Sequence, residues 1–505
     1  MKPTGALRGA RLSLSLVGVL LTAAPLAAEE APVDCAELQA LALHDVVIES
    51  AEAVDAEDGT VHCKVKAMIG GRIGVSVWLP DSWNGHFVMG GSGGFVEPED
   101  NQALRLANGV LEQGYATAST DTGHRAHGLD GSWALNDMEA MVNYGHVGTH
   151  RAVLAAKAII DARYSTRPSK SFFFGCSNGG RQALQEAQRY PADFDGIVAG
   201  APAIDFRGIA ASFVNVVQHM YPNPQRVETP LISPDDRRLL RGAIEAKCDA
   251  ADGVTDGVLQ DPNACRFDVR SLRCGSAPRG ACLNSDQIQA VRAVYDGPRA
   301  GRERLFPGFP YGGEDEDANG WGWWFTDGPV EGLEDTVNAS FAFGVGLMRY
   351  FIYGDPEWSY VDYDWSRYQS DAAAVHAALS PTSPDLDAFR ERGGKLLLYH
   401  GWADTALTAY MSTDYVKAVV ERDASAADDV RLFMMPGVLH CGGGPGPSVV
   451  DWLQVLTDWQ AGGDAPAELT AGWPNRTGGR RLCAWPRAAV YQGGDADAPA
   501  SYRCE

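Results

Sequence analysis

The chain has 505 residues, 21% of them charged, and a formal net charge of −23 at pH 7. Such acidity repels phosphate backbones and sets nucleic acid aside as a partner. The length exceeds what one small core organises, so two domains, or one domain with a large insertion, are expected.

At the N-terminus, Lys2, Arg8 and Arg11 precede an apolar run from Leu12 to Leu26 and the small pair Ala27-Ala28. This pattern predicts a secretory signal peptide over residues 1–28, cleaved near Ala28. Its loss takes the formal charge from −23 to −26. The run is shorter than the roughly 20 residues of a confident membrane span, and no later stretch approaches that length. The expectation is a secreted or periplasmic protein with no membrane partner; a signal anchor is the competing reading.

Strands and helices then alternate. Gly85-His86-Phe87-Val88-Met89 reads as a strand entering the glycine-rich loop Gly90-Gly91-Ser92-Gly93-Gly94-Phe95, and Tyr115 to Ser119 reads as another. Met138 to Ala162 has helical periodicity. Ser171-Phe172-Phe173-Phe174 predicts a short buried strand, Arg181 to Tyr190 a helix, and Asp195 to Pro202 a further strand. Between strand and helix stands Gly175-Cys176-Ser177-Asn178-Gly179, which fits the G-x-S-x-G turn that lifts a serine hydroxyl clear of a sheet. The competing reading of Ser177 is a helix N-cap.

From about residue 205 to 392 the rhythm breaks. This stretch holds four of the ten cysteines, the acidic run Glu314-Asp315-Glu316-Asp317 and the aromatics Trp321, Trp323, Trp324, Phe325, Phe341 and Phe343. Between Cys248 and Cys265 the aspartates and glycines of Asp249 to Val258 alternate. They offer the oxygen-rich tight turn that calcium prefers, or else a solvated acidic loop; the spacing is not that of an EF-hand. The sheet pattern resumes at Lys395 to His400 and again at Val430 to Met435, before a helix from Val449 to Trp459. Alternating βα units with a late resumption predict a mainly parallel sheet flanked by helices over 29–204 and 393–505, interrupted by an inserted lid over 205–392.

Serine needs a base and an orienting carboxylate to become a nucleophile. In the order typical of α/β-hydrolases the acid and then the histidine follow the serine. Asp404 and His440 each fall in a turn after a predicted strand, at the carboxyl end where such residues gather. Asp414 lies inside a predicted helix, Asp428 and Asp429 precede their strand, and His400 precedes the acid, so Ser177, Asp404 and His440 are the predicted triad. Asn178, following the serine, is the expected first oxyanion donor. The second is expected from Gly90 to Gly94, with Gly93 favoured. Ala406 and Leu407 are candidate pocket lining.

Ten cysteines in an exported chain favour five disulfides. Connectivity is open from sequence alone. Proximity suggests Cys248–Cys265, Cys274–Cys282 and Cys483–Cys504, leaving Cys35–Cys63 and Cys176–Cys441. A bond between the last two, with Cα atoms about 5.5 Å apart, would bring Ser177 and His440 within hydrogen-bonding reach, since Cys176 precedes the serine and Cys441 follows the histidine.

Gly175-Cys176-Ser177-Asn178-Gly179-Gly180-Arg181, the Asp404 turn and Val438-Leu439-His440-Cys441 resemble the tannase/feruloyl esterase family, which includes the MHETases. The resemblance spans essentially the whole mature chain. It implies an α/β-hydrolase fold with a large lid, ester hydrolysis, and a disulfide between the cysteines neighbouring the catalytic serine and histidine. It also implies a structural Ca2+ in the lid, held by the Asp249, Asp252 and Asp256 side chains and the Val254 and Val258 carbonyls. The expected substrate is a small aromatic ester: hydroxycinnamates such as ferulate first, gallate second, and a terephthalate monoester third, the last needing a cation such as Arg349. A non-enzymatic alternative is an inactive calcium-dependent polysaccharide-binding protein.

Overall fold

The computed structural model describes residues 31–505 except 56–60, 97, 100–108, 225, 228, 276–280, 329–335 and 362. The signal-peptide prediction falls outside the described residues. Among those described, no helix is long and apolar enough to cross a membrane.

Nine strands form the main sheet: β1 (Val46–Asp55), β2 (Val61–Ile69), β3 (Ile73–Pro80), β4 (His86–Gly90), β5 (Ala116–Thr120), β6 (Lys170–Cys176), β7 (Gly196–Gly200), β8 (Lys395–Gly401) and β9 (Val430–Met435), in the order β1-β2-β3-β5-β4-β6-β7-β8-β9. The six strands from β5 to β9 in that order run parallel. β1, β2 and β3 form an antiparallel extension that joins β5 antiparallel. This extension is not among the strands expected from the sequence: its strands, of 10, 9 and 8 residues, are longer than the central ones, but β1 and β2 interleave apolar residues with Glu49, Glu52, Lys64 and Lys66 instead of forming the unbroken apolar runs of the centre.

Alternate side chains of the central strands serve two cores, as the pleat requires. Phe173, Ile197, Leu396 and Leu398 pack on one face with α1 (Gly148–Tyr164) and α2 (Asn178–Arg189). Phe172, Val198, Leu397 and Phe433 pack on the other, beneath Trp452, Leu456 and Trp459 of the helix Trp452–Gln460. This is the α/β-hydrolase layering predicted. The single helix expected from Met138 to Ala162 is instead interrupted by a π-type turn, Asn143–Val147.

The described residues between β7 and β8 add no strand to the main sheet. They supply α3 (Phe206–Met220) and α4 (Pro234–Cys248), the latter started by a Ser233/Asp236 capping box. Residues 32–505, insertion included, form one compact unit. All ten cysteines are paired, in the three local loops that proximity suggests and in the two pairs left over, Cys35–Cys63 and Cys176–Cys441.

Candidate active site

β6 ends directly in the serine turn. Ser177 adopts φ 64° and ψ −124°, a region costly for any residue with a Cβ. Its backbone is held there on both sides: its N–H donates to Gly200 O at 2.9 Å, and its carbonyl accepts from Arg181 N at 3.0 Å and Ala203 N at 3.1 Å. The flanking glycines are required by close approach. A Cβ on Gly175 would lie 2.5 Å from Gly179 O, and one on Gly179 would lie 2.9 Å from Gly91 C. Ser177 makes no side-chain capping hydrogen bond to α2, so the N-cap reading fails and the hydroxyl is left for chemistry.

The Asp404 and His440 turns follow β8 and β9, beyond β6 and β7 in the sheet. His440 Nδ1–H donates to Asp404 Oδ2 at 2.8 Å. Because a carboxylate only accepts, this contact places the proton on Nδ1 and leaves Nε2 as the basic nitrogen. Asp404 Oδ1 accepts from Ala406 N at 2.8 Å and Leu407 N at 2.9 Å. A second imidazole, His400 Nε2, reaches Asp404 Oδ2 at 3.2 Å and Leu407 O at 3.0 Å, while His400 Nδ1 lies 2.8 Å from Ser412 Oγ. Burial alone would raise the Asp404 carboxyl; the charge of His440 and hydrogen bonds from both imidazoles outweigh it and hold the group well below the usual carboxylate range. Asp404 therefore stays ionised at every pH where an imidazole can act. His400, the rival base in the sequence, is wholly buried behind the acid and orients it.

The Cys176–Cys441 disulfide, with Cα atoms 5.9 Å apart, fastens the serine turn to the histidine turn across 265 positions. Asn319 of the insertion braces the same region, its Nδ2 donating to His440 O at 2.8 Å while its carbonyl accepts from Thr405 Oγ1 at 3.2 Å. Trp324 Nε1 donates to Asn319 Oδ1 at 3.2 Å, and the Trp324 ring stands edge-on to His440 at 5.5 Å. Neither Asn319 nor His400 was assigned a site role from the sequence, because both act through contacts that only the fold creates.

Asn178 starts α2. Its Nδ2 donates to Ser92 O at 2.9 Å, and its Oδ1 accepts from the fully buried Arg181 at 2.7 Å, so one side chain ties α2 to the glycine loop. Within that loop the Gly91 amide donates to Phe174 O and the Ser92 amide to Gln182 Oε1. Beyond it the amides of Phe95 and Val96 donate to Gly128 O and Gly93 O. Gly93 and Gly94 are the positions at which an amide can still meet a ligand, and Gly94 borders the cavity beside Ser177.

That cavity, of about 380 Å³, is lined by Ser177, Asn178, Gly94, Phe95, Tyr144, Ala203, Phe206, Ile209, Phe213, Trp324, Phe343, Leu347 and Leu407. The Phe213 and Trp324 rings lie 6.0 Å apart at 7°, and Trp324 and Phe343 lie 5.9 Å apart at 22°, forming a wall of near-parallel rings. Tyr144, the one lining group with a titratable proton, donates its hydroxyl to Gly94 O at 2.9 Å. None of the described lining residues carries a charged side chain.

The predicted aromatics divide accordingly. Trp324 and Phe343 line the cavity; Trp321 and Phe325 are buried in the core, Trp323 is exposed, and Phe341 packs edge-on to Tyr360. Leu407 lines the cavity and the buried Ala406 does not. The Arg349 guanidinium donates to Trp358 O at 3.1 Å and is not part of the lining. Larger clefts of about 510 and 770 Å³ border the 260–265 segment and the C-terminal hairpins and share no residue with the Ser177 cavity.

The acidic loop turns at Gly253 (φ 91°) and Gly257 (φ 76°). The buried Asp249 carboxylate accepts from Gly257 N at 3.1 Å, Asp252 from Val254 N at 2.9 Å and Gln260 N at 3.1 Å, and Asp256 from Val258 N at 3.1 Å. Asp256 also pairs with the Arg480 guanidinium.

Comparison with known proteins places this geometry in a family. The sequence profile described as "Tannase and feruloyl esterase" matches residues 58–505. An uncharacterized esterase of Xanthomonas campestris pv. campestris is 33% identical, over 97% of this chain and 94% of its own length. A mono(2-hydroxyethyl) terephthalate hydrolase of Piscinibacter sakaiensis is 30% identical, over 88% and 84%. A probable feruloyl esterase of Arthroderma benhamiae is 32% identical, over 86% and 82%. Among solved structures, feruloyl esterase B from Aspergillus oryzae superposes with a TM-score of 0.82 at 23% identity, covering 93% of this chain and 99% of that one, and so shares the fold.

Proposed function

The chain belongs to the tannase and feruloyl esterase family and is an esterase, and we propose that it hydrolyses esters of aromatic carboxylic acids through an acyl-enzyme on Ser177. The observation that carries this reading is an uncapped serine hydroxyl on a strained turn, clamped to a His440–Asp404 pair and facing a cavity walled by parallel rings. Ser177 Oγ attacks the ester carbonyl as His440 Nε2 takes its proton, and Asp404 holds the imidazole and offsets the charge it gains. The developing oxyanion is met by the Asn178 amide and by the loop amide of Gly93, with Gly94 adjacent. His440 returns the proton to the departing alcohol. A water deprotonated by the same nitrogen then cleaves the acyl-enzyme and releases the acid.

The lining favours a hydroxycinnamate acyl group. Gallate would bury three hydroxyls among rings and aliphatic side chains, and a terephthalate monoester would bury a carboxylate with no cation beside it, both costly. A comparison of kcat/KM for methyl ferulate, methyl gallate and mono(2-hydroxyethyl) terephthalate is expected to favour ferulate by at least about tenfold. A lead for the terephthalate ester would reject the acyl preference, and no turnover of any of the three would reject the reaction.

Calcium in the 249–258 loop is part of the same reading. The donor chemistry suits a hard cation, with three carboxylates and the Val254 and Val258 carbonyls on a tight turn within the Cys248–Cys265 disulfide loop; the three carboxylates accept backbone N–H groups and do not converge on one point, so an ion would have to draw them together. Burial pushes the Asp252 carboxyl up and neighbouring Asp249 adds to it, the condition a bound cation would relieve. Bound calcium would neutralise the loop and seat it against the C-terminal hairpins through Arg480, leaving the chemistry to the serine. Chelation is expected to lower Tm by several degrees, with Ca2+ but not Mg2+ restoring it, and Asp252→Asn is expected to abolish that dependence. Export to an oxidising compartment accords with the complete pairing of ten cysteines.

A further inference from the structure

We propose that His150, Glu186 and Asp193 form a binding site for a borderline divalent cation such as Zn2+ or Mn2+, separate from both the serine site and the acidic loop. His150 lies on α1, Glu186 on α2, and Asp193 in the turn that leads into β7. One ligand atom from each lies within 4.8 Å of the other two, the one such grouping of three among the described residues.

Two features separate this cluster from a solvated acidic patch. Glu186 is 1% exposed, and neither of its carboxylate oxygens has a hydrogen-bond partner. A buried carboxylate without a donor is strongly unfavourable and calls for either a cation or a proton. The second feature is a preset imidazole. His150 stacks on Tyr190 at 3.8 Å and 4°, with its Nδ1 2.6 Å from Asp193 Oδ2.

Neighbouring cations and donors are turned to other partners. The Lys157 ammonium donates to the Asp193 carbonyl and lies 5.5 Å over the Phe194 ring. Arg189 donates to Gln185 and to Ala377 O, and His146 Nδ1 lies 2.7 Å from the Tyr190 hydroxyl. Two carboxylates and one imidazole suit zinc or manganese, whereas calcium prefers oxygen alone. His150 is a quarter exposed, which opens a path for entry. Glu186 lies in α2, eight positions and about 12 Å along the helix from Asn178, so a bound ion would pin the far half of the helix that follows Ser177 to α1.

The test is calorimetric titration of Zn2+ and Mn2+ into the full-length protein, first stripped with chelator and then saturated with Ca2+ so that the acidic loop does not contribute. One equivalent is expected to bind, and to raise Tm by at least about 2 °C at a hundredfold excess over Kd. Glu186→Gln and His150→Ala should each weaken binding at least about a hundredfold; should Glu186→Gln fail to fold, the part-exposed His150→Ala decides. Failure of the wild type to bind either ion, or one equivalent bound equally well by the variants, overturns the proposal. In the first case Glu186 is satisfied by a proton shared with Asp193. Neither outcome bears on the serine chemistry, because no residue of that site is altered.

Discussion

Ser177→Ala is expected to lower kcat on methyl ferulate by at least about 10⁵-fold while leaving the fold intact. Without Oγ there is no acyl-enzyme, and only positioning and the oxyanion donors remain to accelerate attack by water. The fold should survive because the hydroxyl supports nothing structural: it does not cap α2, and the turn is held by main-chain bonds to Gly200, Arg181 and Ala203 that alanine keeps. Alanine also has the same Cβ at φ 64°, so the strain is unchanged. The melting curve should match the wild type to within about 0.5 kcal/mol of stability. Retained turnover at normal folding would remove Ser177 from the mechanism.

The serine turn was legible in the sequence because its constraints are local. The strand, the two glycines at close approach and the helix all lie within a short segment, and each leaves its own residue type. The His440 turn was legible for another reason, the adjacency of Cys441, which the Cys176–Cys441 bond explains. Tertiary supports were not legible. Asn319 and His400 look like ordinary loop and strand-end residues until the insertion folds back over β8 and β9. The pocket aromatics show the same limit at finer scale. Trp321 and Phe325 stand one helical turn apart and point into the core, whereas Trp324, between them, faces the cavity on a π-type turn, Gly322–Thr326. Tyr144 and Leu347 reach the cavity from two further π-type turns. Such a turn inserts one residue into the helical phase, often at functional sites, and shifts which side chain faces inward. Patterns based on a period of 3.6 cannot register it.

Asp404→Asn is the second substitution with a large expected effect, about 10⁴-fold on kcat. Asp404 Oδ1 accepts two backbone N–H groups, from Ala406 and Leu407, and an amide nitrogen cannot take that place. Asparagine must therefore keep its oxygen there and turn its NH2 toward His440 and His400. An NH2 group donates, so His440 Nδ1 must accept and its proton moves to Nε2, the nitrogen that should receive the proton of Ser177. The imidazole is then present, correctly placed, and in the wrong tautomer. Stability supplies an independent readout. The native Asp404 carboxyl is depressed, so its contribution is present at neutral pH, above the unfolded value near 4, and is lost as pH falls through the native value. The wild type should thus melt above Asp404→Asn at pH 7, with the gap narrowing below about pH 4. A variant within tenfold of wild-type kcat would mean that the His440–Asp404 hydrogen bond does not set the tautomer, and the role given to Asp404 would fall.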